Sequence, residues 1–118
     1  MTQTGQEVTA IVTENMSSGD SSVCRMARLA GAEVIPVDIG VARPVVGEKI
    51  RQCCVRRGTA NMTQGPAMTR EEAAQAVMTG VALVEELKRE GCRLLATGEM
   101  GIGNTTTSRE LCCVLFCY

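Results

Sequence analysis

The sequence contains no histidine and no tryptophan, and it has one Phe and one Tyr. Without histidine, and without any C-x-x-C pair, a zinc site lacks its usual ligands and spacing. Aromatic content of 2% argues against surfaces that stack nucleic-acid bases. A formal net charge of −1 gives no electrostatic case for nucleic acid or for an anionic membrane. No apolar run approaches the roughly 20 residues that span a bilayer. The N-terminus is polar and lacks the charged-then-apolar order of a signal peptide. A cytoplasmic protein, without membrane or nucleic-acid partners, is the expectation.

What is present bounds the fold. A chain of 118 residues is one domain at most, and 45% apolar content allows a core. Seven cysteines are an odd set for a disulfide framework. They read as reduced thiols used as small hydrophobes.

Helical spacing of Val8, Ile11, Val12 and Met16 predicts a helix from Glu7, interrupted by Ser17-Ser18-Gly19-Asp20. Ser21 or Asp20 caps a second helix carrying Val23, Met26, Ala27 and Ala30, and Gly31 stops it. Residues 32–39 read as a strand, in which Pro36 fits an edge or an irregularity because it cannot donate to a ladder. Asp38 near its end either points into a site or takes the commoner role of a solvated turn residue. Residues 40–66 are irregular, with short extended pieces at Val45-Val46 and at Cys53-Cys54-Val55. Lys49, Arg51, Arg56 and Arg57 make this stretch basic, as a phosphate-facing loop or as a solvated surface. Thr69 and Glu72 form a capping box that opens a helix with Ala73, Ala76, Val77, Gly80, Val81, Val84 and Leu87 on one stripe. Gly91 ends it, and a second strand is expected at 93–97. The pattern is that of an α/β fold, a parallel sheet with ligands at the carboxyl ends of its strands.

At that place lies Gly98-Glu99-Met100-Gly101-Ile102-Gly103-Asn104-Thr105-Thr106-Thr107. Apolar segment, glycine loop, Thr/Ser cluster and the apolar run from Leu111 to Phe116 read as strand, loop and helix. Such a loop turns backbone N–H groups towards an anion. Gly98 and Gly103 have Walker A spacing, but Asn104 stands where the lysine of nucleoside triphosphate hydrolysis belongs. Gly101-Ile102-Gly103 begins a dinucleotide fingerprint, but Thr106 replaces its third glycine. A loop for a single phosphate or a sugar remains, beside the plainer reading of a tight turn with a Thr N-cap.

Residues 98–106 resemble the signature loop of the nicotinate-nucleotide–dimethylbenzimidazole phosphoribosyltransferases. Three further stretches share the family's order and approximate spacing. They are Gln6-Glu7-Val8-Thr9 with Asn15-Met16; Ala30-Gly31-Ala32 leading to Val37-Asp38-Ile39-Gly40-Val41; and Arg57-Gly58-Thr59-Ala60-Asn61 with Gly65-Pro66-Ala67-Met68-Thr69. The resemblance runs from about Thr4 to Thr107. It implies transfer of phosphoribosyl from nicotinate mononucleotide to dimethylbenzimidazole, giving α-ribazole phosphate and nicotinate for the lower-ligand nucleotide of cobalamin. It implies a Rossmann-like parallel sheet with crossover helices, incomplete in this chain, no cofactor or metal, and a homodimer for the full-length enzyme. Gly101, Ile102, Gly103, Asn104 and Thr105 would help hold the nucleotide. Glu99 would face the ribose or base, or orient the loop, and Thr4 would line the benzimidazole pocket.

The same resemblance implies that residues 1–118 are a partial domain, truncated at both ends. The family's first strand and small helical domain would precede Met1. Its general base, a glutamate, would follow Tyr118, so no catalytic residue is expected in this chain. Two departures stand out: residues 109–118 differ from the small-residue helix the family pattern suggests, and Val12 replaces a polar residue that some members direct at the benzimidazole. The alternative is a non-catalytic phosphate- or nucleotide-binding α/β module, or a truncated reading frame with no function of its own.

Overall fold

The main elements run in the order α1 (Glu7–Ser18), α2 (Ser22–Ala30), β1 (Val37–Asp38), β2 (Arg51–Gln52) and α3 (Arg70–Arg89) in the computed structural model, which describes residues 3–107. The apolar run from Leu111 to Phe116 and Cys112, Cys113 and Cys117 lie outside the described residues.

Helix α1 ends where Gly19 turns left-handed at φ 84°, a conformation costly for residues with a Cβ. Ser21 then caps α2 by accepting the Cys24 N–H at 3.3 Å, and Gly31 closes it at φ 65°. The face α1 buries is not the expected stripe of large apolar residues. Ala10 and Thr13 are buried, while Ile11 is exposed. Small residues win because the chain comes close there: a Cβ on Gly47 would strike the Ser17 side chain. Ala10, Val45 and Ile50 form the buried cluster, with Val41 against it. Burying one Val or Ile side chain contributes about 1.5–3 kcal/mol. Polar bonds fix the same contact, since Ser17 Oγ accepts the Lys49 N–H at 3.1 Å and Glu14 holds Arg43 at 2.9 Å and the Val46 N–H at 3.3 Å.

The two strands are parallel, with Val37 opposite Arg51 and Asp38 opposite Gln52. Backbone bonds extend the pairing beyond the short strands. Arg51 N–H donates to Pro36, Cys53 to Asp38, Val55 to Ile39 and Gly58 to Gly40, at 2.9, 2.9, 3.1 and 3.0 Å. Pro36 uses its carbonyl in this ladder, which is how a residue without an N–H serves at a strand's end. The α/β class stands, but the partner strand is a correction: it is Arg51–Gln52, not 93–97, and the connection is the loop at 39–50 instead of a helix. Residues 92–100 carry no strand among the described residues, and Leu94 is 91% exposed. An extended segment becomes a strand only when a neighbour takes its backbone groups.

Helix α3 opens with the expected capping box, Thr69 Oγ1 accepting the Glu72 N–H at 3.1 Å and Glu72 accepting the Thr69 N–H at 2.8 Å. Two ion pairs tie it to the sheet side, Arg56 with Glu72 at 3.4 Å and Arg51 with Glu86 at 2.6 Å. Of its apolar stripe Leu87 is buried, whereas Val77 is 66% exposed and Val81 and Val84 are exposed too. No helix among the described residues is long and apolar enough to cross a membrane.

Candidate functional site

The carboxyl end of β1 holds a fixed anchor. Asp38 is fully buried, and its Oδ1 accepts the Gly40 and Val41 N–H groups at 3.0 and 2.8 Å. Its Oδ2 accepts Arg57 Nη1 at 2.6 Å. Asp38 is therefore neither a solvated turn residue nor a free site carboxylate. It shapes the chain leaving β1, and its hydrogen bond with Arg57 raises the Arg57 pKa above the usual guanidinium value. Gly40 lies so close to the next stretch that a Cβ there would sit 2.7 Å from the Arg56 carbonyl oxygen.

The three arginines of the basic stretch are likewise committed. Arg51, Arg56 and Arg57 each pair with a carboxylate, and hydrogen bonding to Glu86 raises the Arg51 pKa. Neutralised arginines of this kind support the scaffold and are poorly placed to form a phosphate clamp.

The glycine loop has its own local logic. Asn104 N–H donates to the Gly101 carbonyl at 3.1 Å and Thr106 N–H to Gly103 at 3.2 Å, after which the backbone is helical over 104–107. A Cβ on Gly101 would run into the Asn104 side chain, which would have to turn away. Gly103 needs glycine for its backbone, at a φ of 87°, and the space where its Cβ would stand is open. Its N–H donates to no acceptor among the described residues. Glu99 and Thr105 are exposed, and Ile102 and Asn104 are half-buried. Thus Gly101, Ile102, Gly103, Asn104 and Thr105 sit together in one turn, with Glu99 two residues ahead of it.

Thr4 lies at the opposite end of the sequence, in the bend that leads into α1. The link between that end and the loop is Thr9, near the start of the helix, whose Oγ1 accepts the Ile102 N–H at 3.1 Å across 93 residues of sequence. Sequence reasoning does not assign this role to Thr9. The available signal is weak: Thr9 and Thr13 are one turn apart on a helix, a spacing equally suited to a solvated face. Among the described residues no three Cys, Asp or Glu side chains gather as a metal site would require.

A family model described as Phosphoribosyltransferase, DBI_PRT, matches residues 1–117. The chain belongs to this phosphoribosyltransferase family. It is 47% identical over 110 residues to the nicotinate-nucleotide–dimethylbenzimidazole phosphoribosyltransferase of Acetivibrio thermocellus, covering 93% of this chain and 31% of that one. It is 48% identical over 106 residues to the enzyme of the same name from Prosthecochloris aestuarii, covering 89% and 30%. The crystal structure of CobT from Thermus thermophilus superposes with a TM-score of 0.89 at 38% identity, over 96% of this chain and 34% of that one. The chain spans about a third of the length of the curated relatives it matches.

Proposed function

We propose that this chain supplies the nucleotide-holding part of an enzyme that transfers phosphoribosyl from nicotinate mononucleotide to dimethylbenzimidazole. The products are α-ribazole phosphate and nicotinate, in the assembly of the lower-ligand nucleotide of cobalamin. The observation that carries this reading is the turn at 101–105, in which Gly103 leaves an open approach and an undonated N–H. In the reaction the bond from the ribose anomeric carbon to the pyridinium nitrogen breaks, and nicotinate leaves with that electron pair. A bond to a benzimidazole nitrogen forms, and the other ring nitrogen loses its proton. The loop's contribution is positioning and charge stabilisation.

Glu99 is assigned to the ribose or base side, since a carboxylate against phosphate would be repulsive. Thr4 is assigned to the benzimidazole side, and the general base is assigned to a glutamate outside residues 1–118 of the longer enzyme. Treating residues 1–118 as a partial domain, and the longer enzyme as a cytoplasmic homodimer, belongs to the same proposal.

The test is titration with nicotinate mononucleotide and a product assay for α-ribazole phosphate, on the chain and on a longer protein that carries it. Binding by both, with turnover only in the longer protein, is expected. Gly103→Val should weaken binding, and Glu99→Gln should lower turnover more than binding. Unchanged affinity in Gly103→Val removes the loop from the site. Binding that never leads to turnover favours a non-catalytic module.

A further inference from the structure

We propose that Thr9 is a positioning residue for the nucleotide site, its hydroxyl setting the glycine loop by capturing the Ile102 N–H; this rests on the nucleotide reading of residues 98–105. The loop's internal bonds, Asn104 to Gly101 and Thr106 to Gly103, fix its curvature but not its place in the molecule. The bond from Ile102 to Thr9, at 3.1 Å and half-buried, fixes that place. It falls on the residue between Gly101 and Gly103, whose backbones the proposed ligand must approach.

Thr9 is well suited to act as a fixed post. Thr13 Oγ1 donates to the Thr9 carbonyl at 2.8 Å, and the adjacent Ala10 is fully buried against Val45 and Ile50. Further along α1, Glu14 and Ser17 bond the 43–49 segment. The loop therefore leans on a helix held by both core packing and polar bonds. Occupying the Ile102 N–H has a second effect. It removes that donor from the set a phosphate could take and leaves the N–H groups on either side, those of Gly101 and Gly103, which donate to no acceptor among the described residues. Thr9 thus narrows which backbone amides of the loop are offered.

The experiment compares Thr9→Val, Thr9→Ser and Thr9→Ala with the wild type by amide hydrogen exchange at Ile102 and by titration with nicotinate mononucleotide. Val keeps the shape without the acceptor, and Ser keeps the acceptor. Expected is a roughly five- to tenfold faster exchange at Ile102 and a similar loss of affinity in Thr9→Val, the scale of one hydrogen bond, with both restored in Thr9→Ser. Exchange at Ala10 and Thr13 should stay unchanged, which separates loop placement from loss of the helix. If Thr9→Val fails to fold, the Ser and Ala variants, both smaller than Thr, make the same comparison. Wild-type affinity in a variant whose Ile102 exchanges freely, or unchanged exchange in Thr9→Val, overturns the role of Thr9. Failure of the wild type to bind the nucleotide overturns the reading of the loop, and this inference with it.

Discussion

Arg57 Nη1 lies 2.6 Å from the Oδ2 of Asp38, a carboxylate with no exposed surface. The guanidinium is itself partly exposed, so the pair has one wet end and one dry end. Removing the wet partner leaves a charge stranded in the interior, which costs more than the pair contributes over neutral groups. Arg57→Leu should therefore lower the midpoint of urea unfolding well beyond Arg43→Leu, whose partner Glu14 stays within reach of water. Adding Asp38→Asn to Arg57→Leu should recover part of the loss. Small and equal shifts in the two single variants would mean that the Gly40 and Val41 N–H groups suffice to hold the carboxylate.

Acid should loosen the contact between α1 and the loop after β1. The hydrogen bond from Arg43, helped by that from Val46, lowers the Glu14 pKa below its ordinary 4.5. A carboxyl lowered on folding adds stability above its unfolded pKa and loses it as pH falls through the folded value. The stability difference between wild type and Glu14→Gln should be small, constant from about pH 6 upward, and should shrink as pH falls below 4.5 and through the lowered folded value. Thermal unfolding measured across pH checks this, and a difference that grows on acidification would contradict it.

The start of α3 should be sensitive to one hydroxyl. Thr69→Ala removes the acceptor for the Glu72 N–H and should cost about 1 kcal/mol. Glu72→Gln retains the capping geometry and loses only the charge of the half-buried pair with Arg56, 3.4 Å long, so it should cost less than half as much. Equal losses in chemical denaturation would assign the stability to the ion pair instead.

The stripe of Val77, Val81 and Val84 on α3 is open to solvent. Patches of this kind drive association. Sedimentation of the chain under reducing conditions should show concentration-dependent oligomers, and Val77→Glu with Val81→Lys should shift them towards monomer. A monomeric wild type with a cooperative melt would show that the stripe needs no cover.

Local chemistry makes much of the fold legible. The two caps Ser21 and Thr69 and the stops Gly31 and Gly91 act within a few residues, so α2 and α3 can be placed from sequence. The glycine turn is legible for the same reason, because it closes on bonds three residues long, Asn104 to Gly101 and Thr106 to Gly103. Asp38 is not, since its partner Arg57 arrives 19 residues later and its burial depends on packing. A hint does exist in Asp38-Ile39-Gly40, where an Asp side chain accepts from the backbone two residues on. The strand expected at 93–97 fails because apolar content indicates a need for burial without naming the neighbour that provides it.

The bond from Ile102 to Thr9 also has a history written into its length along the chain. During synthesis Thr9 emerges first, and its partner follows 93 residues later. At about 5–20 residues per second that is a wait of roughly 5–19 s. The backbone bonds of α1 and α2 are available at once, while the glycine turn reaches its post only after that wait. The nascent chain therefore carries α1 with that hydroxyl unclaimed by Ile102 until residue 102 has emerged, and the loop's placement is completed only after α1 and α2 can form.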